Sequence, residues 1–213
     1  MTAVVFDVET TGLPKKRNRP FTEFDNWPFI VQISWLVYDE KMGEIESIKD
    51  NIIKIPDDQV IPEESIKIHG ITNEIMREKG RDIVEVLMEF KRDISNSKVL
   101  VAHNLDFDTS IVSVELLRNN LRNMMYFYRG EKYCTMHKTK KLFKRWPKLI
   151  DLHKKFFKST PSNLHNSLID VYVCFRCFCY HYYGYDPVKD ETNIKKYNAN
   201  VREFRRVFRR ITN

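Results

Sequence analysis

The chain opens with an apolar run that ends in two acids, and this feature constrains the fold more than any other. Residues 3–8 (AVVFDV) predict a buried strand. Asp7 and Glu9 are two positions apart, so in a strand their side chains project from the same face. Adjacent carboxylates repel each other unless a cation neutralises them, and oxygen ligands of this kind suit Mg²⁺ or Mn²⁺. The segment therefore predicts a metal site at the end of a core strand, with a solvated strand end as the alternative.

The remaining hydrophobic patterns predict a mixture of strands and helices. Short apolar runs predict further strands at residues 30–38, 46–55, 99–102 and 133–136. Apolar residues at helical spacing, together with local signals, predict helices at residues 63–68, 83–94, 106–121, 147–157 and 165–182. Strands followed by strands interleaved with helices are typical of an α/β fold, in which helices flank a mixed sheet. A chain of 213 residues is long enough for one domain with a sizeable core.

Two later clusters place acids at predicted helix starts. Residues 103–108 (HNLDFD) follow a predicted strand, and residues 165–170 (HNSLID) open the last long helix of the core. Carboxylates are stabilised near the positive end of a helix dipole. Asp106 is a candidate to cap its helix, which leaves Asp108 as the acid available for chemistry. A histidine five residues before an acid carries little weight alone, so its meaning depends on the other motifs.

Together the three motifs resemble those of the DEDDh exonucleases, the family of the proofreading epsilon subunit of bacterial DNA polymerase III and of ribonuclease T. The similarity covers residues 3–183 and rests on the patterns FDVETTGL, HNxxFD and HxAxxD in the same order. The matching residues are Asp7, Glu9, Asp108, His165 and Asp170. Ser167 stands where the third pattern usually has alanine, which is a small change. The related subclass carries a tyrosine four residues before the last acid, where this chain has Asn166, so the histidine subclass fits.

The resemblance implies a ribonuclease H-like fold, in which helices cover both faces of a mixed central sheet. It also implies a 3′→5′ exonuclease that releases nucleoside 5′-monophosphates by a two-metal mechanism. Asp7 would bridge two Mg²⁺ or Mn²⁺ ions, and Glu9, Asp108 and Asp170 would complete their ligand shells. His165 would take the proton from the attacking water.

The terminal nucleotide is expected to bind beside these acids. Residues 68–72 resemble the family's IHGIT segment, which lies against that nucleotide. The predicted nucleotide-binding residues are Thr10, Thr11, Gly12, Leu13, His69 and Asn104. Residues 10–12 are also compatible with an ordinary turn after the first strand.

The charge of the chain suits a polyanionic partner. There are 36 Lys and Arg residues against 29 Asp and Glu residues, which gives a formal net charge of +7. The expected partner is single-stranded or 3′-terminal DNA, with RNA possible, because contacts to the 2′-hydroxyl lie in loops that the motifs do not describe. An RNA-specific 3′→5′ exoribonuclease is the alternative, and a non-catalytic polymerase accessory is disfavoured by the intact set of five residues. A polymerase partner is left undefined.

The cysteines and the apolar segments indicate a reducing, cytoplasmic location. Three of the four cysteines fall within six residues, and Cys174 and Cys177 would share a helical face, which disfavours a disulfide framework. The opening apolar run is interrupted by Asp7, so it does not read as a signal peptide. No run of about 18 apolar residues is present, so no membrane association is expected.

Two basic segments each allow two interpretations. The segment at residues 14–28 contains four cations and is either a solvated loop or a phosphate-contacting arm. An exonuclease domain is expected at residues 1–186 and a basic helical tail at residues 187–213. Apolar residues recur in the tail at helical spacing, so one stripe should dock on the core while the arginines face outwards. The tail is either a solvated or frayed helix or an arm that holds the strand upstream of the site.

Overall fold

A five-stranded mixed sheet forms the centre of the structure. In this computed structural model, which describes residues 2–124, 128–190 and 198–212, the strands are β1 (Thr2–Thr10), β2 (Ile30–Asp39), β3 (Glu44–Ile52), β4 (Val99–Ala102) and β5 (Glu131–Cys134). Their order in the sheet is β3-β2-β1-β4-β5. β2 is antiparallel to β1 and β3, whereas β4 is parallel to β1 and β5. The predicted mixed sheet is confirmed.

Helices connect and cover these strands. In the described part of the chain they are α1 (Glu63–His69), α2 (Asn73–Lys79), α3 (Ile83–Ser95), α4 (Leu105–Arg118), α5 (Thr135–Thr139), α6 (Leu149–Phe157), α7 (Ser167–Phe178) and α8 (Ala199–Ile211). A π-helical turn at Cys179–Tyr183 extends α7. A side-chain cap fixes the start of α3. There the Asp82 side chain accepts the backbone N–H groups of Val84 and Glu85.

The alternation of β1 divides the core between the two faces of the sheet. Val4 and Phe6 belong to a buried cluster with Phe90 of α3, whose ring centroid lies 5.1 Å from that of Phe6. Val5 points to the opposite face, where it joins a second cluster with Phe175 of α7. Successive residues of a strand face opposite sides of the sheet, and those of β1 are apolar on both sides. Each side of the sheet therefore needs a covering layer of helices. The predicted α/β arrangement with helices on both faces is therefore confirmed.

Several predicted boundaries are wrong for identifiable reasons. The strand predicted to reach residue 55 ends at Ile52; Ile53 still donates its N–H to the Val31 carbonyl at 2.9 Å and forms an isolated bridge to Arg81. The strand predicted at 133–136 lies at Glu131–Cys134, because Thr135 already begins α5. The proposed helix cap Asp106 lies inside the first turn of α4, and its N-cap position is held by Asn104.

The C-terminal helix α8 is packed on the sheet. Val201, Phe204 and Phe208 are fully buried in the same cluster as α7. Asn198 caps the helix by accepting the backbone N–H of Val201, and its amide also donates to the carbonyl of Ile45 in β3 at 2.9 Å. The predicted apolar stripe therefore docks as expected, while two tail lysines, at positions 195 and 196, lie outside the described residues.

All four cysteines are free and buried, in agreement with the expected lack of a disulfide framework. A helix with the length and apolar character needed to span a membrane is not found among the described residues. The expected cytoplasmic location stays a prediction.

Candidate active site

Three elements bring four acids together at the carboxyl end of β1. β1 supplies Asp7 and Glu9, α4 supplies Asp108 and α7 supplies Asp170. The backbone N–H of Val8 donates to Oδ1 of Asp108 at 3.2 Å, which ties the start of α4 to the strand between the two β1 acids. Asp108 is only 2% exposed, so it is a core residue rather than a solvated helix-start acid. The structure thus assembles the four acids that the motifs predict.

The acids perturb one another strongly. Burial raises the pKa of Asp7 well above its usual range, and the negative charges of Asp108, Asp170 and Glu9 raise it further. Burial, followed by repulsion from Asp170 and Asp108, raises the pKa of Glu9 to about 8. Burial raises the pKa of Asp170 to about 7. It also raises the pKa of Asp108 well above its usual range, although the Val8 N–H opposes this. Such a cluster ionises readily only beside a positive charge.

Two carboxylate oxygens without hydrogen-bond partners also indicate that the site needs a positive charge. Oδ2 of Asp7 and Oδ1 of Asp170 are buried and have no hydrogen-bond partner among the described residues. A buried polar atom without a partner costs about 1–3 kcal/mol, and more if it is charged. A hard divalent cation would satisfy both oxygens, since carboxylate oxygen is its preferred ligand type. The residues present therefore fit a divalent metal.

His165 stands at the mouth of the acid cluster. Its backbone has φ +68°, a left-handed conformation that delays the start of α7 to Ser167, two residues after the predicted start. The backbone N–H of His165 donates to Oδ2 of Asp170 at 3.1 Å. A ring nitrogen of the exposed imidazole and carboxylate oxygens of Glu9 and Asp170 all lie within 4.8 Å of one another. The imidazole can therefore reach a water molecule or an ion held by those acids.

A buried polar network behind Asp7 was not predicted from the sequence. The Ser167 hydroxyl donates to the Asp7 carbonyl at 2.7 Å, and the Ser167 N–H donates to Oε1 of Gln32 at 3.2 Å. The Gln32 amide and the Ser34 hydroxyl in turn donate to Oδ1 of Asp50, each at 2.7 Å. The available signal was the pair of polar residues, two apart, inside the otherwise apolar strand β2. Ser167 is therefore more than a neutral substitute for alanine, because its hydroxyl ties α7 to β1.

The predicted nucleotide-binding turn leaves β1 directly after the acids. The Thr10 hydroxyl donates to the carbonyl of Gly12 at 2.6 Å, and Gly12 has φ +150°, which a side chain would strain. The Thr11 carbonyl accepts the hydroxyl of Ser65 in α1 at 2.9 Å, so α1 fixes the turn. Leu13 is 79% exposed at the rim of a surface groove of about 300 Å³. The turn therefore offers backbone groups and an apolar side chain to a ligand.

The other two predicted nucleotide-binding residues occupy different positions. His69, at the end of α1, is buried, and its Nδ1 accepts the backbone N–H of Ile71 at 3.1 Å. Its Nε2 has no hydrogen-bond partner in the described part of the chain, and burial lowers the pKa of the ring. Asn104 is exposed at the start of α4 with φ +72°, and its side chain makes no cap. The structure brings the turn and α1 together and leaves Asn104 on the α4 side.

The neighbouring motif histidine, His103, is structural. One ring nitrogen is bonded to the hydroxyl of Thr135 at 2.9 Å and the other to the carbonyl of Pro147 at 3.0 Å. Burial lowers the pKa of His103 to about 4. Because both nitrogens are occupied, this side chain is not available to a metal or a substrate.

Comparison with known proteins agrees with this site. A family model described as "Exonuclease" (RNase_T) matches residues 4–178, which is most of the chain. The chain belongs to this exonuclease family. The DEDDh-type resemblance indicated by the motifs is thereby confirmed.

One curated relative and two solved structures show how far the similarity extends. DNA polymerase III subunit epsilon of Treponema pallidum is 34% identical over 111 residues, covering 52% of this chain and 44% of the relative. E. coli exonuclease I in complex with a dT13 oligonucleotide has a TM-score of 0.66 at 18% identity, covering 84% of this chain and 41% of that one. Exonuclease X in complex with 5′-overhanging duplex DNA has a TM-score of 0.56 at 19% identity, covering 86% and 93%. This exonuclease fold is ribonuclease H-like, as expected, and the chain spans less than half the length of the curated relative.

Proposed function

We propose that this exonuclease is metal-dependent and removes nucleotides from the 3′ end of DNA, releasing nucleoside 5′-monophosphates. The observation that carries the proposal is the cluster of four acids at the end of β1, one buried and three half-buried, whose pKa values are all raised. Support for DNA comes from the dT13 complex of exonuclease I and the duplex complex of exonuclease X. RNA as the preferred substrate is the alternative.

In this proposal Asp7, Glu9, Asp108 and Asp170 hold two Mg²⁺ or Mn²⁺ ions. Such ions supply a nucleophile at neutral pH and stabilise charge on the scissile phosphate and the leaving oxygen. Asp7 would be the ligand shared by the ions, since the charges of all three other acids act on its carboxyl. Ser167 holds the backbone of Asp7 in place, and the Val8 N–H holds Asp108.

His165 acts as the general base in the proposed mechanism. It is exposed at the mouth of the site, and its backbone N–H is anchored on Asp170. From there a ring nitrogen can accept the proton of a water molecule bound between the acids and the scissile phosphate. The turn at residues 10–13, together with His69 and Asn104, would position the terminal nucleotide.

A digestion panel tests the proposed polarity and substrate. Linear single-stranded DNA, duplex DNA and RNA, each labelled at the 5′ end, are incubated with protein and Mg²⁺, beside a circular single strand. A ladder that shortens from the 3′ end, with 5′-monophosphate products and an intact circle, supports the proposal. Ready cutting of the circle would show an endonuclease, and digestion of RNA alone would establish the exoribonuclease alternative.

Proofreading is the process we propose on the strength of the polymerase-subunit relative. A primer with a mismatched 3′ terminus should then be shortened faster than a fully paired primer. Equal rates on the two primers would argue against proofreading and leave the exonuclease proposal intact.

A further inference from the structure

The outer face of α8 forms a ridge of exposed arginines. The helix contains five arginines and one acid, Glu203, in a chain whose total formal charge is +7. Arg205 alone among these arginines is buried, where it donates to the carbonyls of Pro187 and Asp190. The exposed members, here called the arginine ridge, are Arg202, Arg206, Arg209 and Arg210. Together with Arg205 they line a surface depression of about 500 Å³.

The ridge stands on a fixed element of the fold. The opposite face of α8 buries Val201, Phe204 and Phe208 completely. The ring of Phe204 lies 5.4 Å from both Tyr172 and Phe175 of α7, measured between centroids. The arginines are therefore presented at defined positions rather than on a mobile tail.

The C-terminal end of α8 is attached to the segment that carries His165. The backbone N–H and the hydroxyl of Ser162 both donate to the carbonyl of Ile211, at 2.8 and 3.3 Å. Ser162 is three residues before His165 in the chain. At its other end α8 contacts Ile45, at the start of β3, where β3 is farthest from the acid cluster. The ridge thus runs along the side of the domain towards the candidate active site.

The arginines of the ridge are not used to hold the fold together. Arg206 pairs with Glu203, whereas Arg202, Arg209 and Arg210 make no ion pair or side-chain hydrogen bond with any described residue. Like charges one turn apart on a helix repel each other and destabilise the helix. Favourable interaction with the helix dipole accounts for Arg209 and Arg210 in the last turn, but not for Arg202 near the positive end. An anionic ligand would offset this repulsion.

We propose that the arginine ridge binds backbone phosphates of the substrate strand upstream of its 3′ end. This inference rests on the proposed exonuclease function. The span from Arg202 to Arg210 is about 12 Å along the helix axis, which matches the axial rise of three to four nucleotides in a duplex strand. Guanidinium groups bind phosphate oxygens through charge-assisted, often bidentate hydrogen bonds. The contacts are independent of base sequence, as the processing of varied ends requires.

The test neutralises the ridge without disturbing the packed face. Deleting α8 is unsuitable because it would remove Phe204 and Phe208 and expose the apolar residues of α7 that they cover. The ridge variant carries Arg202→Gln, Arg209→Gln and Arg210→Gln. The matched control carries Arg92→Gln, Lys98→Gln and Arg122→Gln, which are three exposed cations outside α8 and the candidate site. Both variants lose three positive charges, and far-UV circular dichroism and thermal melts check that both are folded.

Binding of a 5′-labelled single strand of about 20 nucleotides is measured in EDTA, so that it is not degraded, over a series of salt concentrations. A plot of log affinity against log salt has a negative slope. Each lost phosphate contact reduces the magnitude of that slope by about 0.7 on single strands and about 0.9 on duplex DNA. The ridge variant should therefore lose about 2 from the slope on single strands, whereas the control should stay close to the wild type. An unchanged slope in the ridge variant, or equal losses in both variants, would overturn the proposal.

A second measurement separates this inference from the proposed function. The p-nitrophenyl ester of thymidine 5′-monophosphate is too small to reach the ridge, so all three proteins should hydrolyse it at the same rate with Mn²⁺. A rate lost selectively in the ridge variant would place these arginines in the active site and overturn their upstream role. If the wild type degrades neither this ester nor any strand, the proposed function fails, while the salt slopes still decide whether the ridge binds phosphates.

Discussion

Replacing Asp170 by asparagine should stabilise the metal-free protein while abolishing hydrolysis. The substitution keeps the shape of the side chain, and the amide oxygen can still accept the backbone N–H of His165. Burial raises the pKa of Asp170 from 3.8 to about 7, and its charge is the largest electrostatic contribution to the raised pKa of Glu9. An uncharged amide removes the cost of ionising Asp170 and lowers the cost of ionising Glu9.

The size of the effect depends on pH. The pKa of the Asp170 carboxyl is raised to about 7 in the folded state. Below its unfolded pKa the carboxyl is protonated in both states and the fold keeps its full stability. As pH rises to about 7 and above, ionisation favours the unfolded state and the protein loses stability. At pH 8 the difference between the two pKa values corresponds to about 2–4 kcal/mol after solvent screening is allowed for. In a domain of this size that is about 4–16 °C in Tm. The gain should shrink as pH falls and vanish near pH 4.

Thermal melts in EDTA between about pH 5 and pH 8 measure this gain. The matched control is Asp106→Asn, the same change two residues before Asp108 in α4, where the side chain is 81% exposed. The control should shift the free energy of unfolding by less than about 0.5 kcal/mol. Excess Mg²⁺ should reverse the order of the melts, because only the wild type retains all four ligands. If Asp170→Asn melts at or below the wild type throughout this pH range in EDTA, the electrostatic argument for a metal site is refuted.

Three further results are expected. His165→Ala should slow hydrolysis by roughly 10²–10⁴ with little change in strand binding; an equal fall in strand affinity, measured in parallel, would reassign the residue to positioning. Gln32→Ala leaves the N–H of Ser167 without its partner and removes a donor to Asp50, so it should cost about 1–3 kcal/mol in a urea titration, and a cost near zero would exclude the network from stabilising the site. Chelation should abolish hydrolysis, with Mg²⁺ or Mn²⁺ but not Ca²⁺ restoring it; full activity in excess EDTA would remove the metal from the mechanism.

The sequence predicts most of the sheet because its strands carry strong, continuous patterns. Buried runs such as residues 3–8 and 30–38 have one plausible structure at their length, and β1 and β2 extend over both. The sequence does not predict α2 and α5, and the five residues of α5 are too few to show a helical period. The sequence predicts too late an end for β3 because Ile53, Lys54 and Ile55 alternate between apolar and charged as a strand does, although the strand ends at Ile52.

The acids of the candidate site were predictable for a topological reason. Parallel strands β1 and β4 end at the same edge of the sheet, so motifs that follow them meet in space. What could not be predicted is which polar residues support the site from behind. The bond from Ser167 to Asp7 joins residues 160 positions apart, and the role of Gln32 depends on the register of β2 against β3. Gln32 and Ser34 stand out as polar residues in β2, but nothing near them in the chain indicates which partners they contact.

A titration with Mn²⁺ tests the central claim most directly. Binding is monitored by calorimetry or by the electron paramagnetic resonance signal of the free ion. The wild type should bind two ions in the presence of a non-hydrolysable strand. Asp7→Asn should lose most of this binding, because Asp7 is the proposed bridge and interacts with all three other acids. Asp106→Asn should bind as the wild type does. Failure of the wild type to bind Mn²⁺, or undiminished binding by Asp7→Asn, would contradict the assignment of these four acids to a two-metal site.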